Sequence, residues 1–213
     1  MDVYEALYTT RAMRRLKPDP IPLDAQARIL DAAIRAPSGS NSQPWHFLLV
    51  DDPGLKRHLA PLVEAVWNQR TDASASASAR PAAAPMPAAM SRSVGHLVEH
   101  FAQVPLLFFG FGQPERHSSV YPALWNAQLA ARAEGIGSTL TTFFNRFPEE
   151  TFAILGVPED EGWQVYGCLT MGYPTGRWGV AARRPAHEVA GRNGWDAPLG
   201  FDASEPLWSP QAT

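Results

Sequence analysis

A helix pattern, an abrupt break and an apolar strand follow one another between residues 23 and 50, and this succession constrains the fold most. Apolar residues recur at helical spacing at Leu23, Ala27, Leu30 and Ile34. The Ala36–Pro37 step ends the helix, because the residue before a proline disfavours the helical conformation. Residues 45–50, WHFLLV, then form a run of strand length that is apolar except for His46. A helix joined by a polar turn to a buried strand is typical of a sheet covered by helices.

The same alternation continues through most of the 213 residues. Helix patterns cover 2–8, 54–70, 94–102, 118–134 and 149–155, and strand patterns cover 105–111, 138–143 and 164–173. This alternation predicts an α/β or α+β sheet with helical cover, in one domain spanning 1–213.

Two stretches lack this periodicity. Residues 73–93 contain only Ala, Ser, Arg, Pro and Met, and we interpret them as a mobile surface segment or lid. The chain after Pro174 is rich in Gly, Pro and Trp, and its last part, 186–213, is predicted to be a C-terminal tail. Such a tail needs another surface to lie on, and a partner subunit is one candidate.

Composition narrows the function classes. With 18 basic and 21 acidic residues, the net charge of -3 gives no reason to expect a nucleic acid or an anionic membrane as partner. Cys168 is the sole cysteine, which excludes an intramolecular disulfide and a cysteine-rich metal site. The N-terminus lacks a signal-peptide pattern, and no apolar run approaches the ~18 residues of a membrane span, so a cytoplasmic location is expected.

A basic cluster near the N-terminus contains Arg11, Arg14 and Arg15. It is interpreted either as a solvated basic turn or as a phosphate clamp that uses bidentate guanidinium contacts. In an extended segment, residues two apart share a face, which would direct Arg11 and Arg15 one way and Arg14 the other. The sequence leaves open which two converge.

Two further segments have both a structural and a ligand-binding interpretation. The turn at 37–43, PSGSNSQ, either satisfies its own backbone or binds a ligand, since it combines many hydrogen-bonding groups with little bulk. Residues 135–145, GIGSTLTTFFN, contain a G-x-G without the third glycine of a dinucleotide fingerprint. They form either an ordinary helix–strand connection or a strand end whose amides face a ligand.

Well-known catalytic motifs provide little evidence for a catalytic side chain in this sequence. His96 and His100 flank an H-x-x-E-H pattern known from inverted zinc peptidases, with Glu134 as the obvious third ligand. Because the pattern is short, we predict a surface or pocket-lining helix and no metal. No G-x-S-x-G occurs, and Cys168 lies in an apolar strand and is predicted to be buried and inert. No catalytic side chain is therefore predicted.

Taken together, these segments resemble the FMN-dependent nitroreductase superfamily. The turn matches the family pattern P-S-x-x-N-x-Q-P-W over residues 37–45. Residues 10–14, TRAMR, resemble the R-R-S-x-R motif, with Thr10 and Ala12 replacing its first Arg and its Ser. GIGSTLTTFF resembles the segment that lies over the flavin, and LTMGYP at 169–174, followed by Arg183-Arg184-Pro185, resembles the family's G-Y-P and later basic pair.

The resemblance implies an α+β fold with a central mixed sheet, an intertwined homodimer with a C-terminal extension, and two FMN sites at the interface. In this family the 37–43 turn contacts flavin bound mainly by the other subunit. The resemblance, together with the basic cluster, predicts as cofactor-binding residues Arg11, Ala12, Met13, Arg14, Arg15, Pro37, Ser38, Gly39, Asn41, Gln43, Leu140, Thr141, Thr142 and Arg183.

The implied activity is a ping-pong reaction. NADH or NADPH gives hydride to flavin N5, and a small-molecule acceptor, such as a nitroaromatic or a quinone, then takes the electrons. The flavin carries the chemistry, so binding residues are expected to matter more than acid–base pairs. Two alternatives stay open: a specialised dehalogenase or flavin-converting enzyme, and a non-catalytic flavin-binding protein.

Overall fold

The computed structural model describes residues 1–75 and 86–209. Its helices are α1 (Val3–Thr9), α2 (Leu23–Ala33), α3 (Pro53–Ala75), α4 (Ala88–Glu99), α5 (His117–Ala133) and α6 (Pro148–Leu155). Its strands are β1 (Trp45–Val50), β2 (Leu106–Gly112), β3 (Gly137–Thr141) and β4 (Gln164–Gly172). Short 3₁₀ turns lie at Gly39–Asn41, Phe101–Gln103, Phe143–Arg146 and Ala186–Glu188. The predicted helix and strand patterns are confirmed, with shifted ends.

The largest shift concerns the stretch predicted to lack periodicity. Helix α3 continues to Ala75 and α4 begins at Ala88, so both ends of the 73–93 segment are helical. Pro87 precedes the first turn of α4, a position where its fixed φ suits a helix start. Residues 76–85, the middle of the predicted lid, lie outside the described residues.

The chain forms two compact units. One comprises residues 11–177 and holds the sheet with α2 to α6. The other combines Met1–Thr10 with the chain from Trp178 onward. In this second unit Asp2 caps α1 by accepting a hydrogen bond from the Glu5 N–H at 2.8 Å, and the rings of Tyr8 and Trp208 lie 5.2 Å apart.

The sheet has the strand order β1-β2-β4-β3, and every neighbouring pair is antiparallel. This differs from the mixed sheet that the resemblance implies. Within residues 1–75 and 86–209, parallel pairing is limited to an isolated bridge between Ala12 and Ser138 of β3. The helices that connect the strands reverse the chain direction, so that neighbouring strands are antiparallel.

Helices cover both faces of the sheet. Along β2, Leu106 and Phe108 join the core beneath α2 and α5, whereas the alternate residues Leu107, Phe109 and Phe111 join the core beneath α3, α4 and α6. The period of two in a strand produces this division. A central strand buried on both faces appears in the sequence as a continuous apolar run, as observed.

The core face of α2 differs from the predicted stripe. Ala25, Ile29 and Ala33 are buried, whereas Leu23 is 75% exposed and Ile34 is 39% exposed. Ile29 fills the core between α2 and α5, and the small side chains of Ala25 and Ala33 allow the two helices to pack closely. The predicted apolar stripe is therefore mainly a surface feature.

Candidate functional site

The basic segment, residues 11–15, runs along the outer edge of β3. The Met13 N–H donates to the Ser138 carbonyl at 3.0 Å, and the buried Thr139 hydroxyl donates to the Met13 carbonyl at 3.0 Å. Met13 itself is 6% exposed, and Gly137 allows it to lie close, because an added Cβ on that glycine would be 2.8 Å from the Met13 Cβ. Two of the segments predicted to bind cofactor are thus adjacent.

The end of β4 joins them. The Lys17 N–H donates to the Tyr173 carbonyl at 2.8 Å, and Leu16 forms an antiparallel bridge with Pro174. The Thr175 N–H donates to the Arg15 carbonyl at 3.0 Å. The basic segment therefore pairs first with β3 and then with the residues that follow β4.

Arg14 and Arg15 converge on one cavity of about 250 Å³. Strict alternation would separate them, but the backbone changes partner between Met13 and Leu16 and so leaves the regular extended path. Arg14 is half-buried, and this burial lowers the pKa of its guanidinium below the ordinary value. Arg11 is exposed and does not line the cavity, so the pair that converges is Arg14 and Arg15.

Helix α4 and the turn after it also contribute to the cavity. His96, His100 and Gln103 line it, together with Thr175, and the other lining residues are aliphatic or proline. These four residues are not among the predicted cofactor-binding residues. The i, i+4 spacing of the histidines was the available signal, because it places both rings on one helical face.

Glu134, the third ligand expected for a zinc site on the two histidines, has another partner in the structure. Glu134 is engaged by Arg28, whose Nε and Nη2 donate to its two carboxylate oxygens at 2.8 Å each. Among the described residues, the group that brings three potential metal ligands together is His96, Glu99 and His100, within 4.8 Å of one another. His96 and Glu99 belong to α4, and His100 is the C-cap of the same helix.

At the end of β3, the predicted cofactor-binding residues differ in their solvent exposure. Leu140 is 38% exposed, whereas Thr141 is buried and its hydroxyl accepts a hydrogen bond from the Phe143 N–H at 3.3 Å. Thr142 is exposed and lies after the strand. An apolar side chain and a polar one are thus presented beside the basic segment's edge of the sheet.

The predicted turn at 37–43 is held in an unusual backbone conformation. Ser40, Asn41 and Gln43 have positive φ values of 54°, 52° and 47°. Such values cost a non-glycine residue about 1 kcal/mol each. Ser38 offsets part of this cost, because its hydroxyl accepts a hydrogen bond from the Gln43 N–H at 3.1 Å. The turn satisfies its own backbone and still leaves the Asn41 and Gln43 side chains exposed.

This turn lies at the other end of the strand order. It leads into β1, one edge of the sheet, whereas the basic segment flanks β3, the opposite edge. Two strands separate β1 from β3, which at ~4.8 Å per strand puts the edges about 14 Å apart. Within residues 11–75 and 86–177, one chain does not bring the two predicted halves of the site together. Pro37 and Gly39 belong to this half as well, and a Cβ on Gly39 would meet nothing within 4 Å.

Arg183 belongs to the second compact unit. It is exposed, and its Nη1 donates to the Ala182 carbonyl at 3.0 Å. None of the described helices combines the length and apolarity that a membrane span requires.

Comparison with known proteins agrees with this architecture. The model of the nitroreductase family matches residues 7–173. The NADH dehydrogenase of Thermus thermophilus is 30% identical over 205 residues, covering 89% of this chain and 95% of that protein. The 5,6-dimethylbenzimidazole synthase of Rhodospirillum rubrum is 32% identical over 213 aligned positions, covering 90% of this chain and 94% of that protein.

Among solved structures, an iodotyrosine deiodinase bound to FMN and 3-iodo-L-tyrosine has the same fold. It superposes with a TM-score of 0.70 at 23% identity and covers 91% of this chain and 99% of its own. The predicted family and α+β fold are confirmed: the chain belongs to the nitroreductase family.

Proposed function

We propose that this protein is an FMN-dependent oxidoreductase that passes hydride from NADH or NADPH to a nitroaromatic, a quinone or a similar conjugated acceptor by a ping-pong mechanism. One observation carries the proposal. The basic segment, β3 and Thr175 meet at one sheet edge, where Arg14 and Arg15 line the same cavity. The basic segment and the end of β3 are segments that the family resemblance assigned to the cofactor, whereas Thr175 was not among the predicted residues.

The residues at this edge fit FMN. A flavin mononucleotide needs cations for its phosphate and pyrimidine oxygens, and an apolar surface for its ring. Two guanidinium groups line a cavity whose described lining contains no carboxylate, and Leu140 presents an exposed aliphatic side chain at the adjacent strand end. Arg11 offers a third, exposed guanidinium. Bound FMN would supply the redox chemistry, and the chain would hold its anionic groups and exclude water from its ring.

The site is proposed to need two chains. The 37–43 turn and the basic segment lie at opposite edges of one sheet, so a second copy has to bring its turn to the first copy's basic segment. Leu23 and Ile34 on α2 and Trp125 on α5 are exposed by 75%, 39% and 39%, and burying such side chains favours association. We therefore propose a homodimer, with Arg183 as a phosphate ligand, in a single-domain cytoplasmic protein.

The decisive experiment is a visible spectrum of the purified chain with added FMN. We expect a yellow protein with quenched flavin fluorescence that bleaches when NADH or NADPH is added without oxygen. Reoxidation by a nitroaromatic or a quinone should restore the colour. A protein that binds no FMN refutes the proposal, and one that binds FMN without being reduced by either nicotinamide is a non-catalytic flavin-binding protein.

A second candidate is conversion of the flavin itself. It is supported by the similarity to the Rhodospirillum rubrum synthase, which is 32% identical over 90% of this chain, against 30% over 89% for the Thermus thermophilus dehydrogenase. Chromatography of the flavin after aerobic turnover with NADPH separates the two functions. Recovery of intact FMN supports the oxidoreductase, whereas its stoichiometric loss supports the converting enzyme.

A further inference from the structure

We propose that His96 and His100 form the proton-responsive wall of the anion-binding cavity and that the pair takes up a proton when an anionic group enters between it and Arg14 and Arg15. The inference rests on the proposed function for the source of that anion only. The cavity itself follows from the described residues.

The charges around the cavity favour an anion. Arg14 and Arg15 form one wall, and among the described residues neither guanidinium makes an ion pair or a hydrogen bond. Behind the cavity, the Lys56 ammonium donates to the carbonyl of Val104, a lining residue, at 2.8 Å. Unpaired guanidinium groups on a concave surface are the usual partners of phosphate and carboxylate groups.

The two imidazoles lie so close together that protonation of both would be unfavourable. Their ring centroids lie 4.2 Å apart at an interplanar angle of 31°. His100 Nδ1 lies 3.0 Å from the His96 carbonyl, which can only accept, so this nitrogen carries hydrogen and Nε2 is the free basic atom. Two protons on the pair would place like charges in contact, and the pair therefore takes up one proton at a time.

Two charged side chains act on the pair, Arg15 from the basic segment and Glu99 from α4, and the Glu99 carboxylate lies 3.8 Å from His100 Nδ1. From the basic segment, Arg15 opposes protonation of His96, and from α4 itself the exposed Glu99 favours it. Burial, His100 and Arg15 together lower the pKa of His96. The surroundings of His96 thus favour its neutral form, and an anion that enters beside Arg15 offsets the repulsion from that guanidinium and raises the proton affinity of the His96 imidazole.

A divalent cation is the competing occupant, since His96, Glu99 and His100 offer three ligand atoms within 4.8 Å. Two observations disfavour it. Arg14 and Arg15 place positive charge in the lining of the same cavity, and His100 has one ring nitrogen committed to the His96 carbonyl. The anion therefore agrees better with the charges present.

Sulfate is the appropriate first probe, because it stays doubly charged across the range in which histidine titrates. Calorimetric titration of the full chain at pH 7, in two buffers with different ionisation enthalpies, counts the protons taken up with each anion. We expect uptake of roughly half a proton per sulfate, and binding about three- to tenfold tighter at pH 6 than at pH 8. The H96Q/H100Q double variant should bind sulfate with neither proton uptake nor this pH dependence, and R15Q should lose at least roughly tenfold in affinity.

His58→Gln is the matched control, because His58 is an exposed imidazole on α3 that does not line the cavity. It should behave as the unmodified chain. Equal proton uptake in the double variant overturns the proposal. So does micromolar zinc binding that requires His96 and His100 in a chain that does not bind sulfate.

Repeating the titration with FMN and with riboflavin identifies the source of the anion. Displacement of sulfate by FMN but not by riboflavin assigns the cavity to the cofactor's phosphate, and simultaneous binding assigns it to an anionic group of another ligand. If no flavin binds while sulfate still brings a proton, the proposed function fails and this inference stands. If FMN binds and is reduced but neither probe brings a proton, the inference fails and the function stands.

Discussion

The substitution Gly137→Ala tests whether close packing of the basic segment on β3 builds the site. The added Cβ would lie 2.8 Å from the Met13 Cβ, 3.2 Å from the Met13 Cγ and 3.3 Å from the Pro174 Cβ. The first distance is too short for two carbon atoms, so either Met13 or β3 has to move. Met13 is buried beside Arg14, and its displacement moves the guanidinium groups as well.

The magnitude follows from the contact. Forcing one methyl group into a closely packed position costs about 1–3 kcal/mol. At roughly 2–4 °C per kcal/mol for a chain of this size, the melting temperature should fall by about 2–12 °C. FMN affinity should fall in addition, because a bidentate guanidinium contact tolerates little displacement.

Differential scanning calorimetry and titration of flavin fluorescence measure the two effects separately. Gly176→Ala is the matched control, since an added Cβ there meets nothing within 4 Å, and Gly176 lies next to Thr175 at the same sheet edge. A G137A protein with the melting temperature and the FMN affinity of G176A would refute the packing argument.

Three other expectations follow from the same structure. Arg15→Gln and Asn41→Ala chains should each bind FMN weakly. When the two chains are mixed and refolded together, about a quarter of the FMN sites should recover, because one site of each mixed dimer keeps both native halves. Absence of recovery would contradict a site shared between chains. Cys168 is fully buried and burial raises the pKa of its thiol, so it should resist a thiol reagent until the chain is unfolded, and fast labelling of the native protein would contradict that burial. Glu134→Gln should lower the melting temperature slightly at pH 7, because the ion pair with Arg28 stabilises the charged carboxylate and lowers its pKa. The stabilisation from this ion pair is fully present above the unfolded pKa of about 4.3 and is lost as the pH falls through the lower folded pKa. The variant and the unmodified chain should therefore melt at the same temperature near pH 2.

The site shows where local pattern stops being informative. The sequence pointed to Arg14 and Arg15 as anion ligands, but alternation assigned them to opposite faces, because nothing local reports that the backbone changes partner from Ser138 to Tyr173. His96 and His100 were recognised as sharing a helical face. This helical face lines the same cavity as Arg14 and Arg15 only because α4 packs beside the basic segment. The two elements are some 80 residues apart in the chain.

Helix α2 shows the same limit in the core. Its apolar residues form two stripes, and the larger side chains suggested the buried one. The structure instead buries Ile29 between the two small residues Ala25 and Ala33, on the face that packs against α5. Periodicity identifies a helix, whereas the choice of face depends on its neighbour.

By itself the sequence determined the family, the succession of helices and strands, and the turn that precedes β1, since these depend on local propensity and on motifs within a few residues. Only the tertiary structure decided that the strands run antiparallel, that Arg14 and Arg15 meet two histidines, and that the 37–43 turn lies at the sheet edge opposite the basic segment. Strand order and cavities arise from contacts between residues far apart in the chain, and each such contact is selected by the packing of the whole core rather than by any local pattern.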